Sequence, residues 1–342
     1  MNRHAVSCVQ RRWVWWWLCA LVLFSTALLS LWVGARTMAP ATVWDALTFQ
    51  CATAQHPECV IIQQARLPRT LIGLMVGVAL GVAGTLMQQL TRNPLADPGV
   101  LGINAGASAS VVLCVAFVGH STMPWLISAA FLGALFASGV LMLLGVVTGR
   151  GRIDPIRLTL VGVAMGAALE GVSSGIALLD PTTFDQMRFW RTGSLDIHGM
   201  TAVYAATLPM GLGLGLALSI GRGLEALALG DQLAASLGSR TAVTHTLGII
   251  AIALLCGSAV AAVGPIAFLG LMAPHLAARF AAGSARWQLY WAMLLTPLLL
   301  LIADIAGRLL FSGEVRVSIL TAALGAPLLI VLARRLWRGH SR

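Results

Sequence analysis

Residues 67–90 read LPRTLIGLMVGVALGVAGTLMQQL, and this run sets the class of fold. It is 24 residues long and carries one charged side chain, Arg69, close to its start. A helix needs about 20 mainly apolar residues to cross the hydrocarbon core of a membrane. Gly73, Gly77 and Gly81 recur at every fourth position, on one face where another helix backbone can approach closely. The run therefore predicts a membrane-spanning helix inside a tightly packed bundle.

Nine further stretches have similar length and composition, which predicts an all-α integral membrane protein with about ten transmembrane helices. With the first stretch, the predicted spans are 14–35, 67–90, 101–119, 124–148, 157–179, 200–220, 243–263, 266–282, 287–309 and 316–336. Only Gly264 and Pro265 separate the seventh and eighth spans, so one of these two could be a re-entrant element. We expect residues 1–342 to form a single transmembrane domain.

The composition supports this class and excludes several others. Only 10% of the residues are charged, against about 25% in a typical soluble domain. All 22 basic residues are arginine, so the chain lacks the lysine that a P-loop ATPase or a lysine Schiff base requires. The arginines are scattered between apolar runs, which argues against nucleic-acid binding despite the net charge of +10.

The distribution of arginine predicts the orientation in the membrane. With ten spans both termini lie on one side, and the segments on that side hold 15 of the 22 arginines. Cytoplasmic segments of membrane proteins are enriched in basic residues. We therefore expect both termini to be cytoplasmic.

Six motifs spread over nearly the whole chain carry a family resemblance. They are RLPRTL (66–71), LMQQLTRNPLADPG (86–99), LGINAGAS (101–108), LALGD (227–231), GPIAFLGLMAPH (264–275) and ADIAGR (303–308). Together they resemble the permeases of the iron-siderophore and cobalamin ABC importers. The stretches RNPLADPG (92–99) and DQMRFWRTGSLDI (185–197) are most similar to permeases for ferric enterobactin, a catecholate siderophore.

The resemblance implies a type II ABC importer permease fold and import of a ferric siderophore, ferric enterobactin or a similar catecholate, across a bacterial inner membrane. It also implies the partners. These are a second, related but different permease subunit, two copies of a cytoplasmic ATPase and a periplasmic siderophore-binding protein. The chain itself would hold no cofactor and catalyse no reaction, because ATP hydrolysis would belong to the ATPase.

On the cytoplasmic side the resemblance assigns a gate and a coupling region. Asn93 and Leu95, in a connection with breaks at Asn93-Pro94 and Asp97-Pro98, match the gate, although a tight connection between two helices would explain them equally well. Residues 222–240 match the region that couples to the ATPase, and a helix lying at the lipid interface is the alternative. The matching coupling residues are Leu229, Gly230, Asp231, Ala235, Leu237 and Gly238.

On the outer side Arg66, Arg69 and Arg308 match positions that receive glutamates of the binding protein. Exposed arginines orient a docking protein through pairs with carboxylates. Two alternatives stay open. Arg66 and Arg69 could extend to lipid headgroups, and Arg308 could neutralise Asp304, four residues earlier on the same helix.

A further group of candidates rests on the residues themselves. Glu170 lies within a predicted span, where ionisable groups are costly and often functional. Arg188, Trp190 and Arg191 follow in the next external loop and would suit an anionic, aromatic chelate at the mouth of a substrate pathway. Helix packing through serine hydroxyls is the competing explanation for Glu170.

The cysteines and histidines give two smaller expectations. Cys51 and Cys59 lie in the first predicted external loop, where an oxidising compartment favours a disulfide between them; two unpaired thiols are the alternative. His275 has no second histidine or cysteine at ligand spacing, so we expect no metal site.

Two other classes of function stay open on the residues alone. A proton-coupled secondary transporter would use Glu170 and Asp304, and its uptake would fail with an uncoupler rather than on ATP depletion. An intramembrane serine protease would use Ser108 as nucleophile and His275 as base, and a fluorophosphonate would label it.

Overall fold

The computed structural model describes residues 3–34, 38–48, 57–119, 122–148, 155–310 and 315–340. Within these ranges the chain is helical and contains no β-strand. The helices are α1 Arg3–Trp32, α2 Pro40–Leu47, α3 Pro57–Ile61, α4 Leu67–Thr91, α5 Ile103–Val118, α6 Met123–Thr148, α7 Pro155–Leu179, α8 Pro181–Trp190, α9 Thr201–Ser219, α10 Gly221–Leu227, α11 Asp231–Ser236, α12 Thr241–Val263, α13 Leu269–Ala281, α14 Ala285–Leu310 and α15 Val317–His340. A π-helical turn, Ile62–Arg66, precedes α4, and a 3₁₀ turn, Pro98–Leu101, precedes α5.

Ten of these helices correspond to the predicted spans. Among the described residues seven helices are long and apolar enough to cross a membrane, namely α1, α4, α6, α7, α9, α12 and α14, and α5 and α15 contain shorter apolar stretches. The tenth, α13, has 13 residues and covers about 20 Å, less than the roughly 30 Å of a hydrocarbon core. The prediction of about ten membrane helices is confirmed, and α13 is the short element that the sequence left open.

Helix α13 begins halfway through the bundle. Residues 264–268 separate it from α12 without helical structure, and Phe268 adopts a left-handed φ of 63° just before it. A methyl group on Gly270 would lie 3.5 Å from the carbonyl oxygen of Leu80, near the midpoint of α4. The short helix therefore occupies only one half of the membrane thickness.

The connection from α4 to α5 also returns into the bundle. Gln88 donates from Nε2 to the carbonyl oxygens of Ala96 at 3.4 Å and Leu271 at 3.2 Å. A methyl group on Gly270 would lie 3.2 Å from Oδ1 of Asp97, so this connection reaches the start of α13. Because the chain turns inward before the next helix begins, α5 is only 16 residues long.

The two ends of the bundle are named here by their residues. The α10–α11 face carries α10, α11, the start of α1 and the end of α15. Trp16 of α1 donates from Nε1 to the carbonyl oxygen of Tyr290, near the start of α14, at 3.3 Å. The Arg69 face carries Arg69, the start of α4 and residues 191–199. The first membrane helix thus begins, and the last one ends, at the same face, as an even number of membrane crossings requires.

Helix α4 lies at the centre and packs mainly against α14, α12 and α13. A methyl group on Gly77 would overlap Pro297 of α14, one on Gly81 would overlap Thr296, and one on Gly84 would overlap the backbone of α13. Apolar burial gives little net drive between helices in lipid, so close van der Waals contact has to hold them together. The structure confirms the small-residue face predicted from the glycine spacing.

Replacing Gly81 with leucine should destabilise the bundle, because the new side chain would need the space filled by Thr296 and the carbonyl group of Ala292. Overpacking of this kind costs about 2 kcal/mol, which a lower melting temperature of the purified protein in detergent would report. Gly211→Leu on α9 is the matched control, since nothing lies within 4 Å of a methyl group there. Equal melting temperatures for the two variants would contradict this packing.

Candidate functional sites at the two faces

Asp304 of α14 is a buried carboxylate near the Arg69 face, with 2% of its surface exposed. Arg69 of α4 places Nη2 2.8 Å from Oδ1 and Nε 3.2 Å from both carboxylate oxygens. Arg308, one turn further along α14, places Nη2 2.8 Å from Oδ2. A second carboxylate, Asp196, lies with Oδ1 3.6 Å from Nη1 of Arg69. Two guanidinium groups therefore share one buried carboxylate.

The arginines at this face also close the end of α1. The last carbonyl groups of a helix lack intrahelical donors. Arg66 donates to the carbonyl oxygens of Leu31 at 2.8 Å and Trp32 at 2.7 Å. Arg308 donates to the carbonyl oxygen of Val33 at 2.7 Å. These bonds fix the end of α1 to the start of α4 and to α14.

The burial of these arginines changes the docking hypothesis. Arg66 and Arg69 expose 6% and 8% of their surface, and the side chain of Arg308 exposes 6%. The hypothesis assumed exposed side chains, whereas the structure places all three inside the protein, paired with internal acceptors. Neutralisation of Asp304 by Arg308, the alternative, is the contact that is present. A role of these residues in docking stays a prediction.

A cavity of about 490 Å³ contains two of the predicted pathway residues. Glu170 of α7 and Arg191, just after α8, form an ion pair that lines it, together with Pro265. Asn104 and Ser108 of α5 line it too. Oδ1 of Asn104 and Oγ of Ser108 are buried and have no hydrogen-bond partner among the described residues. The cavity thus combines an ion pair with two unsatisfied polar atoms.

The other two predicted pathway residues lie elsewhere. Trp190 lines a second cavity, of about 600 Å³, near the Arg69 face, with Asp196 and Arg316. Arg188 lies exposed on α8, with Nη2 3.7 Å from Oδ1 of Asp185. The four residues are therefore distributed over two cavities and an exposed helix.

The predicted gate segment consists of two consecutive turns. Oδ1 of Asn93 accepts a hydrogen bond from the backbone N–H of Leu95 at 3.0 Å, and Oδ2 of Asp97 accepts one from Gly99 at 3.0 Å. Side chains that bond to the backbone two residues ahead define such turns. Leu95 itself is 38% exposed. The connection is a defined structure, and its role as a gate stays a prediction.

Residues 222–240 form the short helices α10 and α11, as expected for the coupling region. Gly230 and Gly238, with φ of 112° and 77°, make the turns that end these elements. Leu229, Leu233 and Leu237 follow one another at four-residue spacing and are 59%, 58% and 68% exposed. We call these three residues the leucine strip. It is an apolar surface at the α10–α11 face.

Two ion pairs attach this region to the bundle. Asp231, exposed on α11 one turn before Ala235, accepts a hydrogen bond from Nη2 of Arg92 at 2.8 Å. Glu225 of α10 lies with Oε2 3.1 Å from Nη2 of Arg286, at the start of α14. The region is thus fixed to α4 at one point and to α14 at another.

Cys59, the second of the two predicted bridge cysteines, is disulfide-bonded. Cys51 lies outside the described residues, so the pairing of these two stays a prediction. Cys19 and Cys256 are free thiols.

The structure does not bring the residues of a serine protease together. Nδ1 of His275 lies 2.9 Å from the carbonyl oxygen of Leu271 in its own helix, α13, whereas Ser108 lines the cavity beside α7. Within the described ranges, no three His, Cys, Asp or Glu side chains are grouped so that they could hold a metal ion.

Several residues of these sites were missed from the sequence. Asp196 stands inside a quoted motif, but its partner Arg69 lies far away in the chain, which no local pattern reveals. Arg92 also stands inside a quoted motif, but its contact with Asp231 is not visible in the sequence. Asn104 was missed, and Ser108 was named only as a protease nucleophile. The two are polar residues one helical turn apart in an apolar helix, and this spacing would have identified them as a pair facing one site.

Comparisons with known proteins agree with this architecture. The FecCD transport family matches residues 21–335. The ferric enterobactin transport system permease protein FepD of Escherichia coli K12 is 50% identical over 319 residues, 93% of this chain and 94% of the relative. FepG, named as a permease protein of the ferric enterobactin transport system in that strain, is 33% identical over 323 residues, 92% of this chain and 94% of the relative. A solved structure described as a metal-chelate type ABC transporter in an inward-facing conformation matches with a TM-score of 0.79 and 26% identity, covering 93% of this chain and 98% of the other.

The bundle of about ten helices, together with these relatives, defines a multi-pass permease subunit of an ABC importer. It is a transport component and not an enzyme. The chain belongs to the FecCD transport family. The family resemblance and the importer-permease fold inferred from the motifs are confirmed.

Replacing Asp304 with alanine should strongly destabilise the protein, because it leaves the guanidinium groups of Arg69 and Arg308 buried without their carboxylate. Removing one partner of a buried ion pair costs about 3–5 kcal/mol. Asp185→Ala is the matched control, since Asp185 forms an exposed pair with Arg188. Thermal unfolding in detergent would measure both variants, and equal stability would show that the Asp304 network is dispensable.

Proposed function

We propose that this chain is one of two different permease subunits of an ATP-driven importer that carries a ferric siderophore across the bacterial inner membrane into the cytoplasm. The substrate is ferric enterobactin or a similar catecholate. The observation that carries the proposal is the 50% identity with FepD over 93% of the chain. FepG bears the name of the same transport system, which supports a pair of unlike permeases in one importer.

The chemistry of the two cavities suits this substrate. A ferric catecholate complex is anionic and has aromatic rings at its rim. Arginine binds anionic oxygens through its planar fork of donors, and tryptophan offers a flat apolar surface. Trp190 and Arg316 supply these groups in the cavity of about 600 Å³ near the Arg69 face, and Arg191 supplies one in the cavity of about 490 Å³. Glu170 balances the charge of Arg191 when no anion is present.

The orientation follows from the arginines and from the exposed surfaces. The α10–α11 face is cytoplasmic in this proposal, because the segments there hold most of the arginines. The Arg69 face is periplasmic and receives the siderophore-binding protein. Arg66 and Arg308 support docking by fixing the end of α1, and Arg69 holds the loop that carries Asp196.

The leucine strip is the surface on which the ATPase docks. It is apolar and exposed, and Gly230, Asp231, Ala235 and Gly238 surround it on the short helices and turns. Asn93 and Leu95, in the connection beside it, act as the cytoplasmic gate. Each of the two permeases binds one ATPase, and residues 1–342 act as a single transmembrane domain.

A proton-coupled mechanism fits the structure less well. Asp304 is paired with Arg69 and Arg308, and Glu170 is paired with Arg191. A carboxylate that carries protons must lose its charge during the cycle, and a neighbouring guanidinium group opposes this. Both carboxylates proposed for that mechanism are therefore already paired with arginine side chains.

Expressed with the partner genes of its own system in cells that lack catecholate uptake, this chain should restore uptake of radiolabelled ferric enterobactin. Uptake should survive an uncoupler at constant ATP and fail on ATP depletion, because the energy comes from a partner ATPase. A ferric hydroxamate is the control chelate, since it lacks the aromatic rim. Uptake of the hydroxamate alone would refute the substrate assignment, and loss with the uncoupler would refute the ATP-driven mechanism.

Leu237→Glu should weaken binding of the ATPase about tenfold or more, because it places a charge within an apolar contact. Co-purification of the ATPase with the permease measures this. Arg279→Glu, an exposed position on α13 at the same face, is the control. If α10 and α11 instead lie at the lipid interface, Leu237→Glu will leave ATPase binding unchanged, and the coupling assignment is wrong.

A further inference from the structure

One guanidinium group bridges the junction between α10 and α11. Arg92 donates from Nη2 to the carbonyl oxygen of Leu227, the last residue of α10, at 3.0 Å. The same nitrogen donates to Oδ1 of Asp231, the first residue of α11, at 2.8 Å. The end of one helix and the start of the next are therefore held by a single side chain from another part of the chain.

That side chain is joined directly to the predicted gate. Arg92 follows the last residue of α4 and adopts a left-handed φ of 50°, and the next residue is Asn93. The side chain of Asn93 in turn bonds to the backbone of Leu95. A left-handed conformation is unfavourable for a residue with a side chain, so its surroundings have to hold Arg92 in this position. No flexible segment separates the contact with α10 and α11 from the two turns.

Helix α12 supports the same cluster from its other side. Nε2 of His245 lies 3.8 Å from Oδ1 of Asp231. A methyl group on Gly248 would lie 2.5 Å from Cδ1 of Leu90, so the last turns of α4 press against α12. The junction between α10 and α11 cannot shift without changing its contact with α4.

We propose that Arg92 is the positioning residue through which a displacement of α10 and α11 reaches the connection containing Asn93 and Leu95. The proposal rests on the proposed coupling and gate roles of these segments. The side chains of Arg92 and Asp231 are 44% and 62% exposed. Ion pairs as exposed as this add little to stability, so the pair serves to keep two segments in register rather than to hold the fold.

Charge reversal tests this link. Arg92→Glu and Asp231→Arg, each alone, should lower substrate transported per ATP hydrolysed about tenfold, within the range of coupling energies between sites. Both permeases, the ATPase and the binding protein are reconstituted together in vesicles. In Arg92→Glu, the amount of bound ATPase and the melting temperature should stay as in the unchanged protein. The double variant restores an ion pair of reversed polarity but not the bond to the carbonyl oxygen of Leu227, so it should recover part of the transport. Arg279→Glu, the control at the same face, should leave the ratio unchanged.

The outcomes separate this inference from the coupling assignment. A normal transport ratio in Arg92→Glu overturns the link. A double variant in which the two losses simply add also overturns it, because each residue then acts without the other. If Leu237→Glu keeps its ATPase, the coupling assignment fails. If Leu237→Glu loses its ATPase while Arg92→Glu transports normally, only the link fails.

Discussion

Helix α4 approaches its neighbours so closely that side chains are excluded along one of its faces. Gly77 and Gly81 meet α14, and Gly84 meets the backbone of α13. Lipid provides no hydrophobic drive for such contacts, so their closeness is itself the source of the attraction. The contact with this central helix determines how deep α13 begins in the bundle, and with it the inward path of the chain at Asp97. Its first turn also presents Arg69 to Asp304.

The buried charges at the Arg69 face are the second constraint. A carboxylate withdrawn from water is costly unless ionic partners and hydrogen bonds compensate it, and Asp304 has two guanidinium partners. Arginine suits this position because its planar fork reaches a carboxylate and helix carbonyl groups at once, which a lysine ammonium does with less geometric control. The absence of lysine first excluded ATP chemistry on this chain. The structure adds that some of the arginines connect helices inside the bundle.

Much of the fold followed from local pattern, and much of the site did not. Apolar runs located ten helices, the glycine spacing identified the central contact, and Gly264 with Pro265 marked the break before α13. The family resemblance led us to expect an exposed Arg69 at the outer surface, and no local pattern indicated that its partner, Asp304, lies on a distant helix. The contact of Arg92 with Asp231 was hidden for the same reason. Pairs of this kind depend on which helices become neighbours, and no single stretch of sequence specifies that.

The short length of α13 makes the two halves of the membrane thickness mechanically unequal. In the half toward the α10–α11 face this helix fills its place with a regular ladder of backbone hydrogen bonds. In the other half the place is taken by irregular chain, where Leu195 is fully buried and the N–H of Ser194 donates to the carbonyl oxygen of Val263 at 2.8 Å. Irregular backbone is tolerated at this depth because protein surrounds it. With fewer bonds to break, this half is the more compliant, and a rearrangement across the bundle costs less there.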